Sequence, residues 1–253
     1  MFDSIPLVTD PWFWAVAVPA VLLTGLSKSG FASGFSGIGV PLMAIAIPVP
    51  QAAAIMLPLL MTMDAAGLQQ LWRERDAKLV SRLVPPGLLG IVAGTLLFGA
   101  LSAKAVAGVV GVMTWFFLAQ RLLAPPHPDA PPLPRWVGRI CAVVSGFTSF
   151  VAHAGGPPIQ AYLLPMKMTP RVFSATLAVF FAAVNAAKVL PYAGLGLIDL
   201  RNMVTSALLL PLAPLGVWVG VWLVRRVEPG LFYGLAYLGL FLTGGKLLWD
   251  GLA

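Results

Sequence analysis

Two polar clusters interrupt apolar stretches of this chain, and they hold most of the side chains suited to chemistry. The first lies in GLSKSGFASGFSGIGVP, residues 25–41, where a lysine stands among five glycines. Glycine permits positive φ and close backbone approach, and helices starting there would direct N–H groups and positive dipole ends at an anion. The alternative is tight helix packing through small residues. The residues predicted to bind an anion here are Ser27, Lys28, Gly34, Gly37 and Gly39.

The second cluster lies in GFTSFVAHAGGPPIQAYLLP, residues 146–165, where polar side chains stand in an apolar run. Its Gly-Gly-Pro-Pro sequence must break the helix, because proline has no N–H to donate. His153 could bind an anion or accept a proton, since histidine titrates near neutral pH. Alternatively, it is a neutral cap on the broken backbone. The residues predicted to bind here are His153, Gly155, Gly156 and Gln160.

Three more polar residues lie inside predicted membrane spans. Asn185 and Lys188 are about one turn apart on one helix face, and both are predicted to bind the substrate. A lysine at this depth faces a cavity or a partner, or else extends to the outer surface. Asp64 is the one carboxylate well inside a predicted span. It either pairs with Lys28 or Lys188 or, like His153, carries a coupling proton.

The sign of the charge predicts the class of substrate. Two lysines, a histidine and several helix N-termini oppose one aspartate. A buried site with that surplus attracts anions and repels cations, so we predict a small anionic substrate. The sequence has no Walker loop and no nucleophile–base pair, which argues against ATP-driven transport by this chain alone and against an enzyme. The alternatives are a passive anion channel and a membrane-embedded enzyme or assembly factor.

The composition places these residues in a membrane. Of 253 residues, 59% are hydrophobic and 10% are charged, whereas soluble proteins have about 25% charged residues. So few charges cannot cover a water-facing surface, which predicts a polytopic membrane protein. The net charge of +7 fits basic cytoplasmic loops rather than nucleic-acid binding. Cys141 is the single cysteine and forms no internal disulfide, and neither a cofactor nor a metal is predicted.

Six segments provide the roughly 20 apolar residues that a membrane span needs. They are 52–72, 83–103, 104–124, 172–192, 203–224 and 229–249. Two other stretches, 12–48 and 136–165, are apolar but broken by glycine and proline. Each is predicted to be a re-entrant hairpin or a pair of short helices. If 12–48 instead crosses twice in full, Lys28 becomes an ordinary cytoplasmic anchor.

The distribution of basic residues predicts the orientation. With the 73–82 loop in the cytoplasm, eleven lysines and arginines lie inside and three outside, as the positive-inside rule requires. The same orientation makes the proline-rich segment 125–135 a cytoplasmic linker. It separates a first transmembrane repeat, residues 1–124, from a second, residues 136–253.

The two halves resemble each other at fixed offsets. Three residue pairs share an offset of 121 and two share an offset of 126. They are Gly25 with Gly146, Gly34 with Gly155, Asp64 with Asn185, Gly90 with Gly216, and Gly94 with Gly220. The basic 73–82 loop corresponds to the nearly neutral segment 193–201, which predicts opposite orientations. We therefore predict an all-α polytopic membrane protein of two inverted repeats, whose broken or re-entrant helices meet near the bilayer midplane.

At these residues the sequence resembles the sulfite exporter TauE/SafE family, also called the toluenesulfonate uptake permease family. GLSKSGFASGFSGIGVPLMAI with QAAAIMLP resembles its first-repeat motif, although Ala32, Ser33 and Ser36 interrupt the glycine run. SGFTSFVAHAGGPPIQAYLLP with FFAAVNAAKVLPY resembles the second, and the resemblance spans about residues 12–249.

The resemblance implies a location in the bacterial plasma (inner) membrane and movement of sulfite, thiosulfate or organosulfonates, in a direction that it does not fix. We therefore expect a lipid-embedded secondary transporter that works by alternating access, with possible proton coupling through Asp64 or His153. The sequence leaves the oligomeric state open between monomer and homodimer.

Overall fold

The structure is a computed structural model that describes residues 8–29, 39–98 and 133–252, with scattered positions from 100 to 123. Every regular element of these described residues is a helix, which confirms the predicted all-α class. The α-helices are α1 Pro11–Lys28, α2 Gly39–Met43, α3 Val49–Leu71, α4 Ala77–Leu96, α5 Arg135–Ala152, α6 Gly156–Leu163, α7 Pro170–Gly194, α8 Leu200–Leu209, α9 Leu212–Val224 and α10 Pro229–Leu252. Short 3₁₀ turns, Trp72–Glu74 and Leu164–Met166, follow α3 and α6.

Three described helices are long and apolar enough to cross a membrane. They are α3 with its 3₁₀ turn, α4 and α7. Helices α8 and α9 add a fourth candidate as a pair bent by 43°. The predicted span 229–249 lies within α10, whereas 104–124 lies only partly within the described residues. Most of the linker, 125–135, lies outside them, so the division into two repeats stays a prediction.

The bend between α8 and α9 differs from the single span predicted over 203–224. Helix α8 ends at Leu209, and α9 starts at Leu212. Pro211 and Pro214 lack the N–H groups that would continue the helical hydrogen bonds across this point. The chain therefore turns here.

The stretch 136–165 breaks where the sequence predicts. Helix α5 ends at Ala152, and His153 adopts the left-handed conformation with φ of 50°. Its backbone N–H donates to the Ser149 carbonyl at 3.1 Å, and the Ala154 N–H donates to the Thr148 carbonyl at 3.2 Å. The first bond, from the left-handed residue to the carbonyl four residues earlier, is that of an αL C-cap. After the break, α6 begins at Gly156.

The first broken stretch, 12–48, contains α1 and α2 on either side of an interval that is not described. Helix α1 ends at Lys28, and α2 begins at Gly39. Gly34 and Gly37 lie in the interval 30–38, outside the described residues. Their predicted role in binding therefore stays a prediction.

Glycines allow close contacts in two of the described helix pairs. Helix α1 packs against α9, and α5 packs against α4. A Cβ atom added to Gly25 would lie 3.0 Å from the Gly216 Cα, and one added to Gly90 would lie 3.0 Å from the Gly146 Cα. Contacts this close require glycine, because any larger side chain would force the backbones apart. Between these two pairs, α3 packs against α7 and carries the central polar residues.

Candidate functional site

An ion pair and an amide join α1, α3 and α7 in the protein interior. The Lys28 ammonium donates to Asp64 Oδ1, and Asn185 Nδ2 donates to Asp64 Oδ2 at 2.6 Å. Asp64 and Asn185 are only 4% and 1% exposed. Both carboxylate oxygens therefore have partners, and Asp64 pairs with Lys28 rather than with Lys188.

A separate group of hydrogen bonds surrounds Lys188 on α7. Its ammonium donates to the Ser149 carbonyl at 3.0 Å and to Ser149 Oγ at 2.9 Å, and it lies 2.8 Å from His153 Nδ1. These three contacts match the three N–H donors of an ammonium group. The Lys188 side chain is fully buried, so the alternative in which it extends to the outer surface is wrong.

The end of α5 explains why a buried cation is stable at this point. The last carbonyls of a helix carry partial negative charge and lack helical N–H partners. Lys188 reaches across from α7 to one of them, that of Ser149. The ammonium therefore caps the C-terminal end of α5 without a carboxylate among its described partners.

The hydrogen bonds of His153 fix the positions of its protons. Its Nε2 lies 3.1 Å from the Ala53 carbonyl oxygen. A carbonyl can only accept, so Nε2 carries a proton. One further proton then lies between His153 Nδ1 and Lys188 Nζ, which are 2.8 Å apart. The pair is a potential site of proton exchange.

The residues around Asp64 and those around Lys188 border one small cavity. Its volume is about 30 Å³, which is space for about two water molecules. The described residues that line it are Ser27, Lys28, Leu60, Ser149, His153, Gly156, Leu177, Phe181 and Asn185. Lys28 Nζ lies 5.0 Å from the Phe181 ring centroid, within the range of a cation–π interaction.

The cavity is positive at its wall. Lys28 is the one lysine or arginine among the described lining residues, and none of them is acidic. Asp64 lies behind Lys28 and is not part of the described lining. Lys188 also lies behind the lining, where it holds Ser149 and His153 in place.

Five of the residues predicted from the sequence meet at this cavity, and four described ones do not, namely Lys188, which lies behind the lining, and Gly39, Gly155 and Gln160. The five are Ser27, Lys28, His153, Gly156 and Asn185. Gly39 packs against Thr24 and Met56, and Gly155 packs against Ser145. Gln160 is fully buried outside the described lining. These three positions fit packing of the helix ends better than direct contact with a ligand.

The helix N-termini offer fewer donors than the sequence prediction assumes. Pro157 and Pro158 occupy the first turn of α6, and proline has no N–H. Helix α2 has only five residues. The positive charge at the cavity therefore depends mainly on the lysines.

Sequence reasoning left four lining residues out of the predicted site. Ser149 was recognisable as a polar residue in an apolar run. Leu60, Leu177 and Phe181 had no such signal, because they resemble the other apolar residues of α3 and α7. Only the packing of these helices brings them to the cavity.

The comparisons with known proteins agree with the membrane helices and the positive cavity. The family profile described as sulfite exporter TauE/SafE matches residues 17–247. No curated protein and no solved structure matches the chain. The family match covers nearly the whole sequence, including both polar clusters and the helices that carry them. The chain therefore belongs to the sulfite exporter TauE/SafE family of membrane transporters.

Proposed function

We propose that this protein is a secondary transporter that moves sulfite, thiosulfate or an organosulfonate across the bacterial plasma membrane by alternating access. The observation that carries the proposal is the buried cavity with the Lys28 ammonium in its wall and the Lys188 ammonium behind it. A positive charge inside a membrane protein attracts anions. The family supplies the substrate class, since its description names sulfite export.

The lysines have different parts in anion binding. Lys28 directs one N–H at Asp64, and the substrate would take another of its three donors. Lys188 adds positive potential from behind the wall and orients Ser149 and His153. Asn185, Ser149 and Ser27 would supply further hydrogen bonds to the anion.

The position of the cavity supports a carrier. It lies between packed helices and is narrow, with a volume of about 30 Å³. Alternating access requires such a site to open to each side of the membrane in turn. Because the lining comes from α1, α3, α5, α6 and α7, relative movement of these helices would open it.

Matched contacts support the proposed inverted repeats. By the offsets read from the sequence, Gly25 corresponds to Gly146 and Gly216 corresponds to Gly90. The contact of Gly25 with Gly216 therefore has a counterpart in the contact of Gly146 with Gly90. A Cβ atom added to Gly220 would lie 2.8 Å from the Ser29 Cβ, and one added to Gly94 would lie 2.9 Å from the Phe150 Cβ. Ser29 corresponds to Phe150 at the offset of 121, and Gly94 corresponds to Gly220 at the offset of 126. Two related halves around one site are common in secondary transporters.

The proton shared by His153 and Lys188 is the proposed coupling site. The two nitrogens are 2.8 Å apart, and His153 lines the cavity. An anion that enters would favour the protonated pair, and its departure would favour release of the proton. Asp64 is less suited to this role, since both of its oxygens already have partners.

Transport in liposomes tests the proposal. Purified protein is reconstituted, and uptake of labelled sulfite, thiosulfate and toluenesulfonate is followed with and without a pH gradient. We expect saturable uptake of at least one sulfur anion that increases with an inward proton gradient. The variant Lys28→Met/Asp64→Asn/Lys188→Met removes the buried charges without leaving an unpaired carboxylate, and it should lose this uptake. Lys78→Met, at an exposed position, is the control.

Two results would contradict the proposal. Sulfite uptake by the triple variant at the wild-type rate would show that the cavity is not the binding site. Flux that rises linearly with concentration and ignores the pH gradient would indicate the rival function, a passive anion channel. Sodium and chloride uptake in the same vesicles measures leakage.

A further inference from the structure

A second pocket lies away from the central cavity, where α4, α5 and α6 meet. Its volume is about 50 Å³, and the described residues that line it are Leu79, Arg82, Leu83, Arg135, Arg139 and Tyr162. Half of these residues are arginines, and none of them is acidic. The pocket therefore concentrates positive charge that no described lining residue neutralises.

The helices position the three arginines around a tyrosine. Arg135 and Arg139 are four residues apart on α5 and share a face. Between them, Gly138 lets the Tyr162 ring come close, since a Cβ atom there would lie 2.5 Å from a ring carbon. Arg82 and Arg135 both lie near enough to interact electrostatically with Tyr162, which is 5% exposed. The tyrosine forms the floor of a basic pocket.

The chemistry of the pocket favours a phosphate group. The planar guanidinium binds phosphate oxygens through two parallel N–H donors and stays charged at all physiological pH values. The Tyr162 hydroxyl is suited to donate a further hydrogen bond. Leu79 and Leu83 are buried and add an apolar wall, which a free phosphate ion would not need.

The pocket lies where a membrane surface is expected. Arg135 begins α5, and the next residue, Trp136, is 62% exposed. Exposed tryptophans at helix ends are typical of the membrane–water interface. The side chains of Arg82, Arg135 and Arg139 are exposed as well, so a lipid headgroup could reach them from the bilayer.

We propose that this pocket binds the phosphodiester headgroup of an anionic membrane lipid. The arginines hold the phosphate, Tyr162 donates a hydrogen bond, and the two leucines contact the apolar part of the lipid below the headgroup. The site is separate from the central cavity, and the proposal does not depend on the identity of the transported anion.

Lipid binding to the purified full chain tests the proposal. Native mass spectrometry follows the binding of phosphatidylglycerol and of zwitterionic phosphatidylcholine. The variant Arg82→Gln/Arg135→Gln/Arg139→Gln should bind phosphatidylglycerol about 100-fold more weakly, at about fivefold for each basic side chain. Phosphatidylcholine has the same phosphodiester but also a choline cation, which the arginines repel, so its binding should be weak and should change much less. The control, Arg73→Gln/Lys78→Gln/Arg171→Gln, removes the same charge from exposed positions outside the pocket.

The alternative outcomes are distinct. If both triple variants lose affinity equally, the binding reflects total charge, and the proposed pocket is wrong. The same holds if the pocket variant binds phosphatidylglycerol like the wild type. Displacement of the lipid by low-millimolar inorganic phosphate would identify a free oxyanion as the occupant and overturn the assignment to a lipid. The thermal unfolding midpoint of each variant shows whether it is folded.

Discussion

The two buried lysines of the central site are stabilised in different ways. Lys28 has an ion-pair partner, Asp64, which also receives the Asn185 amide. Lys188 has neutral partners, namely the Ser149 carbonyl and hydroxyl and the His153 ring. The first region is therefore close to neutral overall, whereas the second has no carboxylate among its described partners to balance the Lys188 ammonium. This difference suggests that the ion pair of Lys28 also holds α1, α3 and α7 together, whereas Lys188 adds positive potential from behind the cavity wall.

The proposed repeat makes the contrast sharper. At the offset of 121, Lys28 corresponds to Ser149, and Lys188 corresponds to Gly67. Each half thus supplies one lysine, but from a different member of its helix pair: α1 in the first half and α7 in the second. In the proposed repeat, the helices and packing contacts of the two halves would correspond, whereas their chemistry would differ. The corresponding helices would allow the two halves to move in the same way. The lysines, which lie at positions that do not correspond, would give the site its positive charge.

The largest expected effect is on the stability of the Lys28 region. Lys28→Met leaves the buried Asp64 carboxylate without its cation, which should cost about 3–5 kcal/mol. Lys28→Met/Asp64→Asn removes both charges and should recover most of that loss. The thermal unfolding midpoint in detergent measures both. Equal unfolding midpoints for the single and double variants would show that leaving the Asp64 carboxylate without Lys28 does not destabilise the protein.

The next effect concerns transport through the Lys188 region. Lys188→Met leaves no buried carboxylate behind, so the protein should fold, but the positive potential and the hold on Ser149 and His153 are lost. Since hydrogen bonds to a charged group contribute about 1.5–3 kcal/mol, we expect the KM for the sulfur anion to rise about 10- to 100-fold. Proteoliposome uptake kinetics measure this change. An unchanged KM would assign Lys188 to structure alone.

A smaller effect should follow from Ser149→Ala. This change removes one of the three contacts of Lys188, the hydroxyl at 2.9 Å, but keeps the carbonyl contact. A loss of about 1 kcal/mol would raise the KM about fivefold. Ser174→Ala is a matched control, because that buried hydroxyl donates only within α7, to the Pro170 carbonyl. If both variants behave alike, the Ser149 hydroxyl has no special role at the cavity.

The sequence by itself determined the class of the protein and the break between α5 and α6. With so few charged residues, most side chains must face lipid or other helices, whichever way the helices pack. The break at His153–Gly155 follows from local chemistry, because two consecutive glycines weaken a helix and the two prolines after them lack N–H donors. For the same local reason, the polar residues Lys28, Asp64, His153, Asn185 and Lys188 were recognisable against their apolar neighbours.

Only the tertiary structure decided how these residues are combined. Asp64 had two candidate lysines in the sequence, and the rotation of α3 against α1 and α7 gives it Lys28. The same packing puts Phe181 in the cavity wall and Lys188 behind it. Such pairings depend on which faces of distant helices meet, and close contacts such as Gly25 with Gly216 set those faces. Hydrophobic periodicity along one helix carries no information about its partner, so this part of the site could not be predicted from the sequence.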